Sequence, residues 1–160
     1  MIPEKFSERM KKMLGDDYPA FESALAEDSV RGVRVNTAKI SVDQYLSATE
    51  LDLSPIPYTD YGFIPKNSDG IGTLPEHHAG MIYVQDPGAM ATVTALDVKS
   101  GWRVLDACSA PGGKASQLSA LIGDEGALLA NEYVPKRAKI IVGNFERLGI
   151  RNAVVTSLDT

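Results

Sequence analysis

Cysteine is nearly missing from this sequence, with one residue, Cys108, in 160. That excludes an internal disulfide and suits a reducing, cytoplasmic setting, which is the expected location. No stretch approaches the roughly 18 consecutive apolar residues of a membrane helix. The opening Met1-Ile2-Pro3-Glu4-Lys5 has no basic segment followed by an apolar one, so neither a membrane partner nor a secretory signal is expected. Histidine is scarce as well. His77 and His78 are adjacent, so their side chains diverge, and no cysteine or acidic cluster stands at metal-ligand spacing; no metal site is expected. A large excess of positive charge is also lacking. The net charge is −5, so whole-molecule attraction to nucleic acid is not expected.

What is present suits a globular fold. Apolar residues make up 44% and charged residues 23%, enough apolar material for a real core in one domain, or one domain with a small appendage. The charge is uneven. Residues 1–40 carry 7 basic and 7 acidic side chains, residues 41–100 carry 2 and 8, and residues 101–160 carry 7 and 6. Arg9, Lys11, Lys12, Arg31, Arg34 and Lys39 could form a basic patch; the plainer reading of such a run is a solvated helix face.

The chain reads as two parts, 1–75 and 76–160. In the first, Pro3 can open a helix in which Phe6, Met10, Met13 and Leu14 recur at helical spacing and Gly15 ends the run. Pro19 opens a second short helix. Val30, Val33 and Val35 suggest a strand, and Ser41 three residues before Gln44 suggests a capped helix. Pro55, Pro57, Gly62, Pro65, Gly70, Gly72 and Pro75 break residues 54–75 into short strands and turns, which also makes this segment the candidate linker. In the second part, Met81-Ile82-Tyr83-Val84 is a short apolar run and Asp86-Pro87 starts a helix. Strand (103–107), glycine-rich turn, helix (about 114–122), strand (127–131), helix (135–148) and strand (153–156) then follow, with Gly123 and Gly149 as helix stops. Strands alternating with helices predict parallel pairing in a doubly wound α/β sheet.

The turn Ala107-Cys108-Ser109-Ala110-Pro111-Gly112-Gly113-Lys114 carries the chemistry. In open α/β sheets, ligands sit at the carboxyl ends of strands. Glycine there lets backbone N–H groups approach a ligand, and the following helix start favours an anionic group such as a carboxylate. The dinucleotide fingerprint G-x-G-x-x-G is absent. The phosphate loop G-x-x-x-x-G-K-[ST] fails at Ala107 and Ala115, which weakens both nucleotide readings. Glu132 follows the second strand, where an acid can accept ribose hydroxyls, and Asp159 follows the third, where it could meet an adenine amino group. An acid after one strand is ordinarily a helix cap. Three successive strand ends that each offer a glycine turn or an acceptor point to one adenosine-type ligand.

The same residues resemble a known family. Asp106-Ala107-Cys108-Ser109-Ala110-Pro111-Gly112-Gly113-Lys114 is similar to the D-x-C-A-A-P-G-G-K-T cofactor motif of the Nol/Nop/Sun family, S-adenosylmethionine-dependent RNA cytosine-5 methyltransferases. Arg34-Val35-Asn36-Thr37-Ala38-Lys39 resembles the family's R-V-N-T-L-K, and Tyr83-Val84-Gln85-Asp86-Pro87-Gly88-Ala89-Met90 its Y-x-Q-D-x-x-S-M. The opening Pro3-Glu4-Lys5-Phe6 resembles the bacterial small-subunit ribosomal RNA branch, type F. Ser109, Ala115 and Ala38 depart from the family's alanine, threonine and leucine.

The resemblance implies the first half of a Rossmann-like class I methyltransferase sheet preceded by a small α+β subdomain, 1–75, that is a candidate RNA contact. It implies S-adenosylmethionine as cofactor, bound by Cys108, Ser109, Ala110, Pro111, Gly112, Gly113, Lys114, Glu132 and Asp159, and ribosomal RNA as partner. Asp106 either shapes the loop or faces the ligand's amino group. Arg34 and Asn36 are divided between RNA phosphate contact and a structural role. The implied mechanism is covalent: a cysteine thiolate adds to C6 of cytosine and C5 then takes the methyl group. The family's nucleophile lies in a later Thr-Cys motif with a helper Pro-Cys, and neither motif occurs in these residues, so the nucleophile is expected beyond Thr160. Cys108 is not given that role; a lone cysteine ending a strand reads as a small packed residue. The 160 residues alone are expected to be truncated before the catalytic cysteines and inactive. Two readings compete with the enzyme: a noncatalytic RNA-binding or ribosome-assembly module that keeps the fold, and a nucleotide-binding oxidoreductase.

Overall fold

The computed structural model describes residues 2–159, and the chain separates into two compact units at Val30 and Arg31. Thr160, the residue beyond which the catalytic nucleophile is expected, lies outside the described residues. The first unit is a helical pair. Helix α1 (Glu4–Leu14) stops at Gly15, whose φ of 54° suits glycine, and a 3-10 turn leads into α2 (Tyr18–Ala26), with Pro19 in its first turn. Phe21 packs against both Phe6 and Tyr18 at 6.3 Å between ring centroids.

The second unit holds two sheets. Strands β1 (Gly32–Val35), β2 (Leu53–Pro55), β3 (Gly62–Pro65) and β4 (Ile82–Gln85) form an antiparallel sheet in the order β2-β3-β1-β4. Helix α3 (Val42–Ala48) starts in a full capping box: the Ser41 hydroxyl accepts from the Gln44 N–H, and the Gln44 side chain accepts from the Ser41 N–H. A four-residue helix, α4 (Pro75–His78), precedes β4. Val33, Val35, Tyr45, Phe63, Ile71 and Ile82 make this sheet's core. Residues 54–75 are therefore not a linker. Their breakers shape β2, β3 and the turns around them, and β3 lies between β2 and β1. The sheet also runs across residue 75, because β4 pairs with β1 over all four of its residues.

Helix α5 (Pro87–Leu96) is capped by Asp86, whose carboxylate accepts from the Ala89 N–H at 2.9 Å. Then come β5 (Arg103–Asp106), α6 (Gly113–Ile122), β6 (Ala127–Asn131), α7 (Pro135–Leu148) and β7 (Ala153–Thr156). The three strands pair in parallel in the order β5-β6-β7, the α/β arrangement that the alternation of strands and helices predicts. Its core is Val93, Ala115, Leu118, Ile122, Leu128, Ala130, Ile141 and Phe145, drawn from the central strand β6 and from one side of α5, α6 and α7. On the opposite side of the strands, Leu105, Leu129 and Val154 stand in register and exposed. Trp102, just before β5, is exposed as well. Among the described residues no helix is long and apolar enough to cross a membrane.

Two side chains from the exit of β1 fasten the antiparallel sheet to the end of α7. The Asn36 amide donates to the Gly80 carbonyl at 2.8 Å and to the Leu148 carbonyl at 3.0 Å. The Lys39 ammonium donates to the Ala79 and Arg147 carbonyls at 2.7 and 2.8 Å. The Arg147 and Leu148 carbonyls lie in the last turn of α7, where a helix cannot satisfy them itself. Gly80 is glycine for two reasons. Its φ is 70°, and a Cβ there would overlap the Arg147 carbonyl.

Candidate functional site at the carboxyl end of the parallel sheet

The loop from Asp106 to Gly113 leaves β5 and returns as α6. Its path is fixed from within. The Cys108 N–H donates to Asp106 Oδ1 at 3.3 Å, the Gly112 N–H to the Ser109 carbonyl at 2.7 Å, and the Ser116 N–H to the Gly112 carbonyl at 2.8 Å. Gly112 has φ 102°, a conformation that L side chains rarely adopt, and it turns the chain into the helix. α7 supports the turn from outside: Asn144 donates to the Pro111 carbonyl at 2.9 Å and Arg137 to the Ala110 carbonyl at 3.4 Å. The Ala110–Pro111 peptide is cis.

The loop meets the next strand end through the Ser109 N–H, which donates to the Asn131 carbonyl at 2.8 Å. Asn131 then reaches the third strand. Its amide nitrogen donates to the Leu158 carbonyl at 3.0 Å and the Ala107 carbonyl at 3.4 Å, and its oxygen accepts from the Thr156 hydroxyl at 2.8 Å. One buried amide thus binds together the ends of β5, β6 and β7. Sequence reasoning passed over it beside Glu132. The signal available was a polar residue closing an otherwise apolar strand.

Glu132 is buried. Its Oε1 accepts from the Val134 N–H at 3.0 Å and from Arg137 at 3.4 Å, while Oε2 lies 3.3 Å from the half-exposed Arg137 guanidinium. A carboxylate has about four acceptor sites, so capacity remains for hydroxyl donors. Asp159 is exposed and follows the fastened Leu158, and Lys114 is exposed in the first turn of α6. Cys108 is exposed too, contrary to its reading as a packed residue, because β5 ends at Asp106 and the loop has already left the core. Two buried oxygens in this loop, Asp106 Oδ2 and Ser109 Oγ, have no partner among the described residues. Unanswered buried acceptors of this kind are uncommon and suit a site built to receive donors.

Arg34, expected either to touch RNA or to serve structure, is buried on β1, and so it does not join a surface basic patch. Its Nη1 donates to the Gly113 carbonyl at 2.6 Å and to Gln85 Oε1; its Nη2 donates to the Ser116 hydroxyl at 2.6 Å. The guanidinium lies 5.1 Å from the centre of the Tyr83 ring. Burial pushes Arg34 down to about 10, against a smaller opposing pull from Tyr83 and Tyr61, so it remains a cation at neutral pH. Gln117 completes this polar layer, donating to the Tyr61 hydroxyl at 3.2 Å and the Met90 carbonyl at 3.1 Å. Asn36, the other residue weighed for RNA, is buried in the α7 clasp.

A cavity of about 690 Å³ lies elsewhere, lined by Ile40, Tyr45, Leu51, Leu74 and Met81. It shares no lining residue with the loop. Its charged groups are the carboxylates of Glu50 and Glu76, a poor setting for a ligand carboxylate.

Similarity to known proteins adds to this geometry. Residues 2–87 match the family described as the N-terminal domain of 16S rRNA methyltransferase RsmF, and residues 93–160 match 16S rRNA methyltransferase RsmB/F. The ribosomal RNA small subunit methyltransferases F of Vibrio campbellii and Erwinia tasmaniensis are 36% and 37% identical to the chain, over 99% of it and 35% of their own length. The chain thus spans about a third of these curated relatives. A crystal structure of a methyltransferase homolog from Pyrococcus horikoshii superposes with a TM-score of 0.87 at 30% identity, covering 98% of this chain and 53% of that one. NSun6 from the same organism, solved with SFG, has a TM-score of 0.86 over 98% of this chain and 65% of that one; at 18% identity it shows likeness of fold. The chain belongs to the RsmF family of 16S rRNA methyltransferases, matching its N-terminal domain over residues 2–87 and the RsmB/F domain over residues 93–160.

Proposed function

We propose that the chain supplies the cofactor-binding part of an S-adenosylmethionine-dependent enzyme that methylates C5 of cytosine in small-subunit ribosomal RNA in the cytoplasm. The division of labour is residues 1–75 toward RNA and residues 76–160 toward cofactor. The observation that carries the reading is the Gly112–Gly113 turn opening α6 beside a buried carboxylate, Glu132, at the carboxyl edge of a parallel sheet.

The residues suit the cofactor's chemistry. The loop from Cys108 to Lys114 would hold the amino-acid carboxylate through the Gly113 and Lys114 N–H groups at its helix start, since the Cys108, Ser109 and Gly112 N–H groups are bonded within the protein. Glu132 would accept from the ribose hydroxyls and Asp159 from the adenine amino group. Asp106 Oδ2 and Ser109 Oγ offer free acceptors for the cofactor's ammonium group. When bound, S-adenosylmethionine supplies an electrophilic methyl group on a sulfonium centre. The loop's own task is to fix that methyl group in one place relative to the base, so alignment replaces a bimolecular search. Cys108 takes no nucleophile role; it is part of the cofactor loop, and the attacking thiolate would come from a cysteine beyond Thr160.

Two measurements test this with the full-length protein. Calorimetry is expected to show one site for S-adenosylhomocysteine and none for NAD; the reverse would overturn the cofactor reading in favour of an oxidoreductase. Mass spectrometry of small-subunit ribosomal RNA incubated with S-adenosylmethionine is expected to show new 5-methylcytidine. Cofactor binding with no methylated base would instead support a noncatalytic assembly module.

A further inference from the structure

Arg34 is a buried cation that, among the described residues, meets only neutral partners. It stands on the antiparallel sheet, yet its acceptors Gly113, Ser116 and Gln117 lie 79, 82 and 83 residues later, in the first turns of α6. Among the described residues no carboxylate lies within ion-pair distance of it. A buried cation without a counter-charge is costly. Placing it against a helix N-terminus, itself partly positive, adds repulsion. Both costs fall if an anion occupies the far side of the Gly112–Gly113 turn. Gln85 gives a second, independent sign. Its oxygen is committed to Arg34, while its amide nitrogen is buried without an acceptor and lies 3.6 Å from where a Cβ on Gly113 would stand.

We propose that Arg34 is a positioning residue for the carboxylate end of the cofactor: it fixes the Gly113 peptide through its carbonyl and provides, from behind the turn, the positive charge that the carboxylate answers. The proposal rests on the cofactor reading of this turn. Arg34 touches no ligand itself. It acts by orienting the Gly113 and Lys114 peptides and, in a poorly solvated setting, by a field that reaches beyond direct contact. Arginine suits the task better than lysine, because its planar fork meets the Gly113 carbonyl and the Ser116 hydroxyl together.

The test compares two ligands on the full chain: S-adenosylhomocysteine, which carries the amino-acid end, and 5′-methylthioadenosine, which keeps the adenosine and sulfur and lacks the carboxylate. In the wild type the first is expected to bind more tightly. Arg34→Gln is expected to weaken S-adenosylhomocysteine about tenfold, as the positive field behind the turn is removed and the Gly113 peptide loosens, and to leave methylthioadenosine within about twofold. Arg34→Lys should fall between. Ser116→Ala, which removes the Nη2 acceptor, should reduce the same preference by about two- to threefold. If Arg34→Gln weakens both ligands alike, or neither, Arg34 is a structural tie only and the proposal is overturned while the cofactor reading stands. Should Arg34→Gln fail to fold, an unchanged preference in Arg34→Lys and Ser116→Ala overturns it equally. A wild type with no preference between the two ligands sinks the reading of the turn, and this proposal with it.

Discussion

Asn131 and Leu158 exchange two hydrogen bonds: the Asn131 amide donates to the Leu158 carbonyl at 3.0 Å, and the Leu158 N–H donates back to Asn131 Oδ1 at 3.0 Å. The pair holds the segment after β7 beside the end of β6 and so sets where Asp159 begins. Asn131→Ala strands the Leu158 groups and the Thr156 hydroxyl. We expect a loss of about 2–3 kcal/mol, read from urea unfolding. A variant within about 0.5 kcal/mol of wild type would show that the amide is dispensable.

Gly112 is where the loop needs a positive φ, 102°, which glycine adopts freely. Space is not what Gly112→Ala lacks; the nearest atom to an added Cβ is Phe145 Cε1 at an ordinary 3.5 Å. The expected cost is backbone strain of about 1–2 kcal/mol, together with weaker S-adenosylhomocysteine binding as the turn relaxes. Thermal unfolding and calorimetry on the same sample check both effects.

Glu132→Gln separates the sugar end of the site from the carboxylate end. It removes the charge facing Arg137 and weakens acceptance from ribose hydroxyls. Affinity for S-adenosylhomocysteine and for methylthioadenosine should fall together, by about tenfold, because both carry the ribose. A loss confined to one ligand would remove Glu132 from the sugar site.

Asn36 is expected to matter for stability and not for RNA phosphate. Asn36→Ala leaves the Gly80 and Leu148 carbonyls without their donor and should cost about 1–3 kcal/mol. The salt dependence of RNA binding should stay as in wild type, since no phosphate contact is lost. A shallower salt slope in filter-binding titrations would contradict this.

His77 gives a pH signature. Burial foremost, then Arg147 and His78, hold its imidazole below the usual histidine range, and its Nδ1 is buried without a partner. The native state therefore takes up this proton at lower pH than the unfolded state does. Stability from the neutral form is complete above the unfolded value of about 6.5 and is lost as pH falls through that value toward the native one. His77→Leu should flatten the loss of unfolding free energy between about pH 7 and pH 5 relative to wild type. Parallel curves for the two proteins would refute it.

The strand–turn–helix alternation from β5 to β7 was legible in the sequence because its signals are local: apolar runs, proline at helix starts, and Gly123 and Gly149 at helix ends. The Ser41 capping box was legible for the same reason. What escaped were relationships made at a distance. Nothing near Arg34 marks it as buried, since its partners on α6 are about half the chain away. The breakers of residues 54–75 looked like a linker because pairing of β3 with β1 leaves no periodic trace in so short a strand. Cys108 was misjudged by two residues, the distance by which β5 stops short of it.

The exit of β1 has a mechanical consequence. Arg34 grips the start of α6, while Asn36 and Lys39 grip the end of α7, all within six residues. Neither sheet can melt alone without tearing those grips, so residues 31–159 should lose structure in one cooperative transition. A ligand lodged against α6 would then raise the melting temperature of the antiparallel sheet as much as that of the parallel one.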